Sequence, residues 1–382
     1  MSAYPMNRRD FVKISIAAGA SVLTAGALLG GCSGTRRSDL PPDGDGRPAG
    51  VPLDPDAVAI LRHASLAPSG HNAQPWIVTV DRPLVWTIGL DPARRLPEVD
   101  PSNREALLSI GAFVENLVIS AEARGYRVRT EAVAGGMQDA DILRVRLEKA
   151  PARPYALERL ELRRTVKHGH GPRELTSETV RTLAAPLDGR LFYFPRSSEH
   201  ARCIAEGTAA AFEEQTRRDS AQRELAAWTR FSRRSAEAHR DGLTTEGMEI
   251  TGLAGWYVRS FMTPADVMGG TWRNKGIEMM KKMTHEGAGW FVVTSAGSGV
   301  ADLIDTGRRF QRMALMAREH KVAVHPMTQM LEEDTGRGRI VAEHAADMTP
   351  QFILRVGYLE RYPEPVSLRR PVSWFVRERQ EG

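Results

Sequence analysis

The sequence predicts an α+β chain, and three kinds of segment predict it. Short alternating or wholly apolar runs, among them Trp76-Ile77-Val78-Thr79-Val80 and Trp290-Phe291-Val292-Val293-Thr294-Ser295, carry the period of strands. Longer stretches with apolar residues three and four apart, 106–121 and 302–320, carry the period of helices. Loops rich in Gly, Pro, Ser and Asn separate the two kinds, as punctuation between elements should.

Near its start the chain reads Asn7-Arg8-Arg9-Asp10-Phe11-Val12-Lys13, then runs apolar over 14–29 and ends that run Leu29-Gly30-Gly31-Cys32. The run is close to the shortest that spans a bilayer, so a membrane anchor is one reading. Its Ala and Gly content and the Cys directly after it favour another. The twin arginines with Phe and Lys resemble a twin-arginine export signal, and 29–32 resembles a lipobox. That resemblance implies a signal over 1–32, cleavage that leaves Cys32 lipidated, and a lipid-anchored protein on the periplasmic or other extracytoplasmic face of the membrane. Twin-arginine export carries folded proteins, often with a cofactor already inserted.

Residues 33–52 hold Gly, Pro, Asp, Arg and Ser with almost nothing apolar, so they build no core and read as a flexible tether. The remainder of the 382 residues suffices for one large domain or two fused halves. With Cys32 taken by lipid, Cys203 has no partner for an intrachain disulfide, and the helical spacing around it suggests a buried thiol. The net charge of +5 is spread without a long basic block, which leaves no nucleic-acid footprint.

In 53–150, a helical period over 57–66 gives way to Ala67-Pro68-Ser69-Gly70-His71-Asn72-Ala73-Gln74-Pro75-Trp76. Pro68 and Gly70 end the helix, and Pro75 is expected to hold Gln74 extended. Ser69, Asn72 and Gln74 set three short polar groups on one loop, suited to a planar polar ligand, although polar loops of this kind commonly serve only Asx-turn geometry. Strands follow at 76–80 and 85–88. A turn-rich connection over 96–104 offers Asp100 or Ser102 as a helix cap. The helix over 106–121 is apolar on most of its circumference and belongs in the core; Gly125 stops it before a strand at Tyr126, and 142–147 is a further strand.

In 151–382, Arg163-Arg164-Thr165 offers guanidinium forks and a hydroxyl, the donors that grip a phosphate, though a basic pair alone is usually solvated surface. A capped helix over 175–183, a strand over 190–194 and a charged helical stretch over 199–240 follow. In the last, Leu225, Trp228 and Phe231 form one stripe. Residues 242–275 lose any clear period and read as a functional loop or lid, whose Trp256, Tyr257, Phe261 and Trp272 either cover a ligand or pack beneath. The strand at 290–295, the helix at 302–320 and the run Val322-Ala323-Val324-His325-Pro326-Met327-Thr328-Gln329 complete the core, and His325 at a strand end reads as structural. A strand over 350–358 and the segment Ser367-Leu368-Arg369-Arg370-Pro371 close the chain.

Taken together, Pro68-Ser69 with Asn72 and Gln74-Pro75-Trp76, Arg163-Arg164-Thr165, Pro350-Gln351 with Arg355 and Gly357-Tyr358, and Arg369-Arg370-Pro371 resemble the motifs of the nitroreductase superfamily over about 54–376. The resemblance implies a nitroreductase-like fold with one FMN bound non-covalently. It sets Pro68, Ser69, Asn72 and Gln74 against the flavin, Arg163, Arg164 and Thr165 on the phosphate, and Pro326, Met327, Thr328 and Gln329 beside the ring. Either Arg369 or Arg370 reaches the phosphate, and Ser367 stands where the family often has Lys. The phosphate motif normally precedes the flavin-facing loop; here it follows. That order is similar to the Acg-type branch, in which two fused halves, here 53–150 and 151–382, imitate the usual dimer within a monomer.

The implied activity is two-electron transfer from reduced flavin to a small electrophile, a nitroaromatic or quinone, with the electron donor left open. No catalytic side chain and no metal is assigned. The other reading is a flavin-binding or flavin-sequestering protein with little turnover, since no nicotinamide site is recognisable.

Overall fold

The computed structural model describes residues 34–40, 50–51, 53–344 and 348–379, side chains at 341–344 excepted. The export signal, with Arg8, Arg9 and Cys32, lies outside the described residues. Part of the tether rests on the domain: Thr35 is buried and Arg37 donates to the carbonyl of Glu161.

The first sheet begins as an antiparallel hairpin of β1 (Trp76–Arg82) and β2 (Val85–Leu90), joined by β3 (Tyr126–Ala132) and β4 (Asp141–Lys149) in the order β3-β4-β2-β1. On β4, Leu143, Val145 and Leu147 turn inward while Arg144 and Arg146 face water, the alternation a one-sided sheet requires. The open side of β1 takes a strand from the far end of the chain: β9 (Val376–Glu378) runs parallel to it, Val376 opposite Val78. The second sheet is antiparallel throughout, in the order β5-β6-β8-β7, from β5 (Leu191–Pro195), β6 (Gly289–Ser295), β7 (Val322–Pro326) and β8 (Thr349–Tyr358). Of the inner strands, β6 is buried along its whole length.

Helix α1 (Pro55–Ala64) starts at Asp54, whose side chain accepts from Ala57 N, and runs into the polar loop. Helix α2 (Arg104–Ala123) packs on the first sheet through Leu107, Ile110, Phe113, Val114 and Leu117, all with no exposed surface. Phe113 lies 5.1 Å from Trp76 and meets Phe375 edge-on. Asp100 supplies the cap, accepting from Glu105 N at 3.1 Å and Ala106 N at 2.9 Å.

Between β4 and β6 in the chain lie, besides β5, the helices α3 (Glu158–Leu162), α4 (Ser177–Ala184), α5 (Glu199–Arg217), α6 (Asp219–Ala227), α7 (Arg233–His239), α8 (Gly252–Phe261) and α9 (Gly270–Met283). Helix α10 (Val300–Ala317) covers the second sheet with Phe310, Met313, Ala314 and Ala317, and short α11 (Gln329–Glu332) and α12 (Asp334–His344) follow β7. Helices α2 and α10 lie against each other, so the layers run sheet, helix, helix, sheet. Glycine makes that close approach possible: a Cβ on Gly111 would collide with the carbonyl of Ile304, and one on Gly307 with that of Leu108.

Two expectations change. Residues 242–275 are not irregular throughout, since α8, the short turn of helix Pro264–Met268 and the start of α9 fall within them. Only Gly255 and Val258 of α8 and Ile277 and Met283 of α9 are buried, too narrow a stripe to print a period on the sequence. Gln74 is not extended but has φ 53, held there by bonds described below.

Candidate functional site

The polar loop after α1 carries three non-glycine residues in the left-handed region: His71 at φ 49, Asn72 at φ 52 and Gln74 at φ 53. Such conformations cost about 1–3 kcal/mol each and persist only where surroundings impose them. Here hydrogen bonds do so. Gln74 N donates to Ser69 Oγ at 3.0 Å, Asn72 Nδ2 donates to the carbonyls of Gly242 and Leu368 at 3.2 Å each, and Gln74 Nε2 donates to the carbonyl of Arg240 at 3.0 Å. The loop is therefore stitched at once to the segment after α7 and to the C-terminal tail.

Beside it opens a cavity of about 380 Å³, within the size range of small-molecule and cofactor sites. Pro68, Ser69 and Asn72 line it from the loop, Pro326, Thr328 and Gln329 from the end of β7, and Gly242, Leu243, Thr244 and Gly247 from the segment before α8.

One wall is cationic. Arg163, Thr165 and Lys167 face the cavity, whereas Arg164 and Val166 do not. Arg163 has extended backbone, and the every-second-residue pattern that follows is that of an extended segment. Arg164 turns to Glu249 Oε1 at 2.7 Å and the carbonyl of Glu364, and Val166 enters a small core with Ala323 and Leu359. The same alternation splits the second pair. Ser367 and Arg369 line the cavity; Leu368 is buried, and Arg370 donates to the carbonyls of Gln74 and Trp76 at 2.6 and 2.8 Å. Gln74 completes that arrangement by accepting from Arg370 N at 2.9 Å.

Arg163, Lys167 and Arg369 have no carboxylate partner among the described residues. Arg369 donates to Asn72 Oδ1 at 2.9 Å and to the carbonyls of Leu66 and Ala67, and Arg163 reaches the carbonyl of Leu66 at 3.4 Å. The Nε atoms of Arg163 and Arg369 are buried without an acceptor. Burial, and behind it the proximity of Arg37, pulls the Arg163 guanidinium down to about 10; burial with Arg163 and Arg37 nearby holds Arg369 well below its ordinary value. Burial likewise lowers Lys167. Gathered cations with unfilled donors are the features of an anion site.

Another wall is acidic. Glu105 from α2 and Glu332 from α11 both face the cavity, with Thr328 between them: its Oγ1 lies 2.8 Å from Glu105 Oε1 and 2.9 Å from Glu332 Oε1. Arg104 donates to Glu105 Oε1 at 2.9 Å, and Gln215 donates to Glu332 Oε2 at 2.7 Å.

Of the residues singled out in the sequence, Pro68, Ser69, Asn72, Arg163, Thr165, Pro326, Thr328, Gln329 and Arg369 meet on this one cavity. Gln74, Arg164, Met327 and Arg370 do not line it. Met327 is buried with Met330, Leu331 and Ile353. The aromatic residues of 242–275 also stay away: Trp256 and Tyr257 pack on Phe261, and Trp272 packs on Phe231. His325 lines the cavity, but burial and Arg355 hold it neutral. Cys203 is half-buried in α5, with its sulfur 3.2 Å from an Arg339 nitrogen.

A serine, a histidine and a carboxylate also align elsewhere. Ser120 Oγ lies 2.9 Å from His63 Nδ1, and His63 Nε2 lies 3.4 Å from Glu161. Ser120 has no exposed surface and lines no part of the cavity, so the group joins α1 to α2 and offers no reachable nucleophile.

Comparison of the chain with protein-family models gives no match, and comparison with curated proteins gives no significant match.

Proposed function

We propose that the cavity binds one FMN per chain and that the protein is an FMN-dependent oxidoreductase of nitroreductase-like fold, passing two electrons to a small electrophile such as a quinone or nitroaromatic. The observation that carries this reading is the group Arg163, Lys167 and Arg369, cations without carboxylate partners among the described residues, on the same cavity as the Pro68-Ser69 and Asn72 loop. The donor set fits a phosphate monoester: two guanidinium groups, one ammonium, and the hydroxyls of Thr165 and Ser367. Pro68, Ser69, Asn72, Pro326 and Gln329 would then border the ring.

FMN, when bound, supplies the redox chemistry. The chain's own residues anchor, orient and enclose. Asn72 sets the direction of Arg369 through its Oδ1 while its Nδ2 fixes the neighbouring carbonyls, so ring-side loop and phosphate anchor share one bond network. Each recognition segment occurs once, which supports a single site in a monomer that imitates a dimer through paired α2 and α10. Delivery of the folded, loaded protein to the outer face of a membrane by the twin-arginine route, with Cys32 as lipid attachment, belongs to the same proposal.

The test is flavin absorbance of purified protein together with FMN titration of stripped protein. One FMN per chain is expected. Colourless protein that takes up no FMN, or a ratio near two, overturns the reading. Steady-state turnover with dithiol, quinol and nicotinamide donors then separates an enzyme from a flavin store.

A further inference from the structure

We infer that Glu332 is the proton donor of this cavity, holding a carboxyl proton in a chain Glu332–Thr328–Glu105 and passing it to the reduced acceptor. The inference rests on the oxidoreductase reading above.

The geometry of Thr328 carries it. Its hydroxyl has one hydrogen, yet carboxyl oxygens stand at 2.8 and 2.9 Å on either side. The hydroxyl can donate to only one of them, so the other carboxyl must donate to the hydroxyl, and must itself carry a proton. Glu105 has a cation on the same oxygen, Arg104 at 2.9 Å, and is the ionised member. Glu332 has only the neutral amide of Gln215 on its other oxygen, and is the protonated one. The groups facing it agree. From α2 come Arg104 and Glu105, and from α5 Gln215, which also donates to Glu333 Oε1, itself paired with Arg218 at 2.8 Å. His71, on the same cavity and near Glu105, is held neutral by burial, at about 4. Arg337 of α12 is spent on the carbonyl of Leu331. Burial first, and Glu105 second, push Glu332 up to about 8, so it is mostly protonated at neutral pH.

A second observation points to a ligand here. Gln222 is 3 % exposed and lines the cavity, and its Oε1 has no donor; Gln329 Oε1 is also buried without one. A ligand must bring N–H or O–H groups to satisfy them. A hydroquinone does so, whereas the oxidised quinone does not, which favours the reduced side of the reaction. A bound FMN would supply two electrons and one hydrogen to the acceptor, one oxygen of which would then carry a negative charge. The O–H bond of Glu332 breaks, an O–H bond forms on that oxygen, and the carboxylate left behind regains a proton from solvent water.

The experiment compares wild type, E332Q and T328V, each with its FMN content measured first. Reduced protein is mixed with 1,4-benzoquinone from pH 6 to 10, and the carboxyl C=O stretch is followed by infrared spectroscopy over the same range. Wild type should show a protonated-carboxyl band that fades through about pH 8 and is missing in E332Q, where only the Asp100 component, fading through about pH 7, remains. Its reoxidation should slow over the same interval. E332Q should keep its FMN, react about 100-fold slower, and lose that alkaline decline. T328V should keep the band and move its midpoint. Flavin-loaded E332Q with wild-type rates, or wild type without the band, overturns this inference and leaves the function standing. A wild-type chain that takes up no FMN overturns both. If E332Q fails to fold, the wild-type band and T328V still decide.

Discussion

The two charged walls of the cavity meet the same physical problem and solve it differently. Burial penalises charge on both, and each wall sets like charges close together. The acidic wall has a remedy within the chain, because a carboxyl can keep its proton, and Glu332 and Glu105 share one across Thr328. The cationic wall has none: a guanidinium does not give up its proton at physiological pH, so Arg163 and Arg369 remain charged with Nε donors unfilled. The difference teaches which wall needs a partner from outside. In the proposed reading an anion completes the cationic wall, whereas the carboxyls of the acidic wall are partnered within the chain through Thr328.

Breaking the cationic wall should have the largest effect. The R163A/R369A pair should lower FMN affinity by roughly 1.5–3 kcal/mol for each charge-assisted hydrogen bond removed, at least about a hundredfold in Kd, read by fluorescence titration. R370A tests the other face of the same segment. It should leave the buried carbonyls of Gln74 and Trp76 without a donor and destabilise the fold by about 1–3 kcal/mol, seen as a lower thermal midpoint in the FMN-free protein.

The acidic wall should show itself in stability against pH. Burial and then Glu105 raise Asp100 to about 7, as they raise Glu332 to about 8. Folded carboxyls with raised values bind more protons than unfolded ones. Their stabilising contribution is full below the ordinary carboxyl range and is lost as pH rises through the folded values. Above the range in which the buried, neutral histidines would protonate in the unfolded chain, these two carboxyls should pull the thermal midpoint of wild type down from about pH 7 to 9, and E332Q should flatten part of that fall; equal slopes would place the proton elsewhere. The smallest effect is expected of R164A. Because Arg164 faces Glu249 and not the cavity, FMN affinity should stay within about threefold of wild type, below about 0.7 kcal/mol.

Much of this was legible in the residues. Alternation on β4 and the unbroken apolar run of β6 mark strands, and the apolar circumference of α2 marks a central helix. The arginine pairs were legible only as pairs. Their division into one cavity residue and one structural residue follows from extended backbone, and the same alternation, read on from Arg163 through Thr165, adds Lys167. Helices α8 and α9 left no period because so little of each is buried. Glu332 was beyond sequence reading, since its role depends on Glu105 and Thr328, which are 223 positions apart in the chain and adjacent only once folded.

The parallel pairing of β9 with β1 also sets an order of events during synthesis. The strand that completes the first sheet, with Phe375 in that sheet's core, is made after every other strand and α-helix among the described residues. Arg369, which joins Asn72 in the cavity, emerges only shortly before it. A nascent chain still lacking this tail has an open edge on β1, a gap in its first core and an incomplete cationic wall. Closure of the first sheet and assembly of the anion site thus wait on the same late segment, and a chain truncated before residue 369 would forfeit both together.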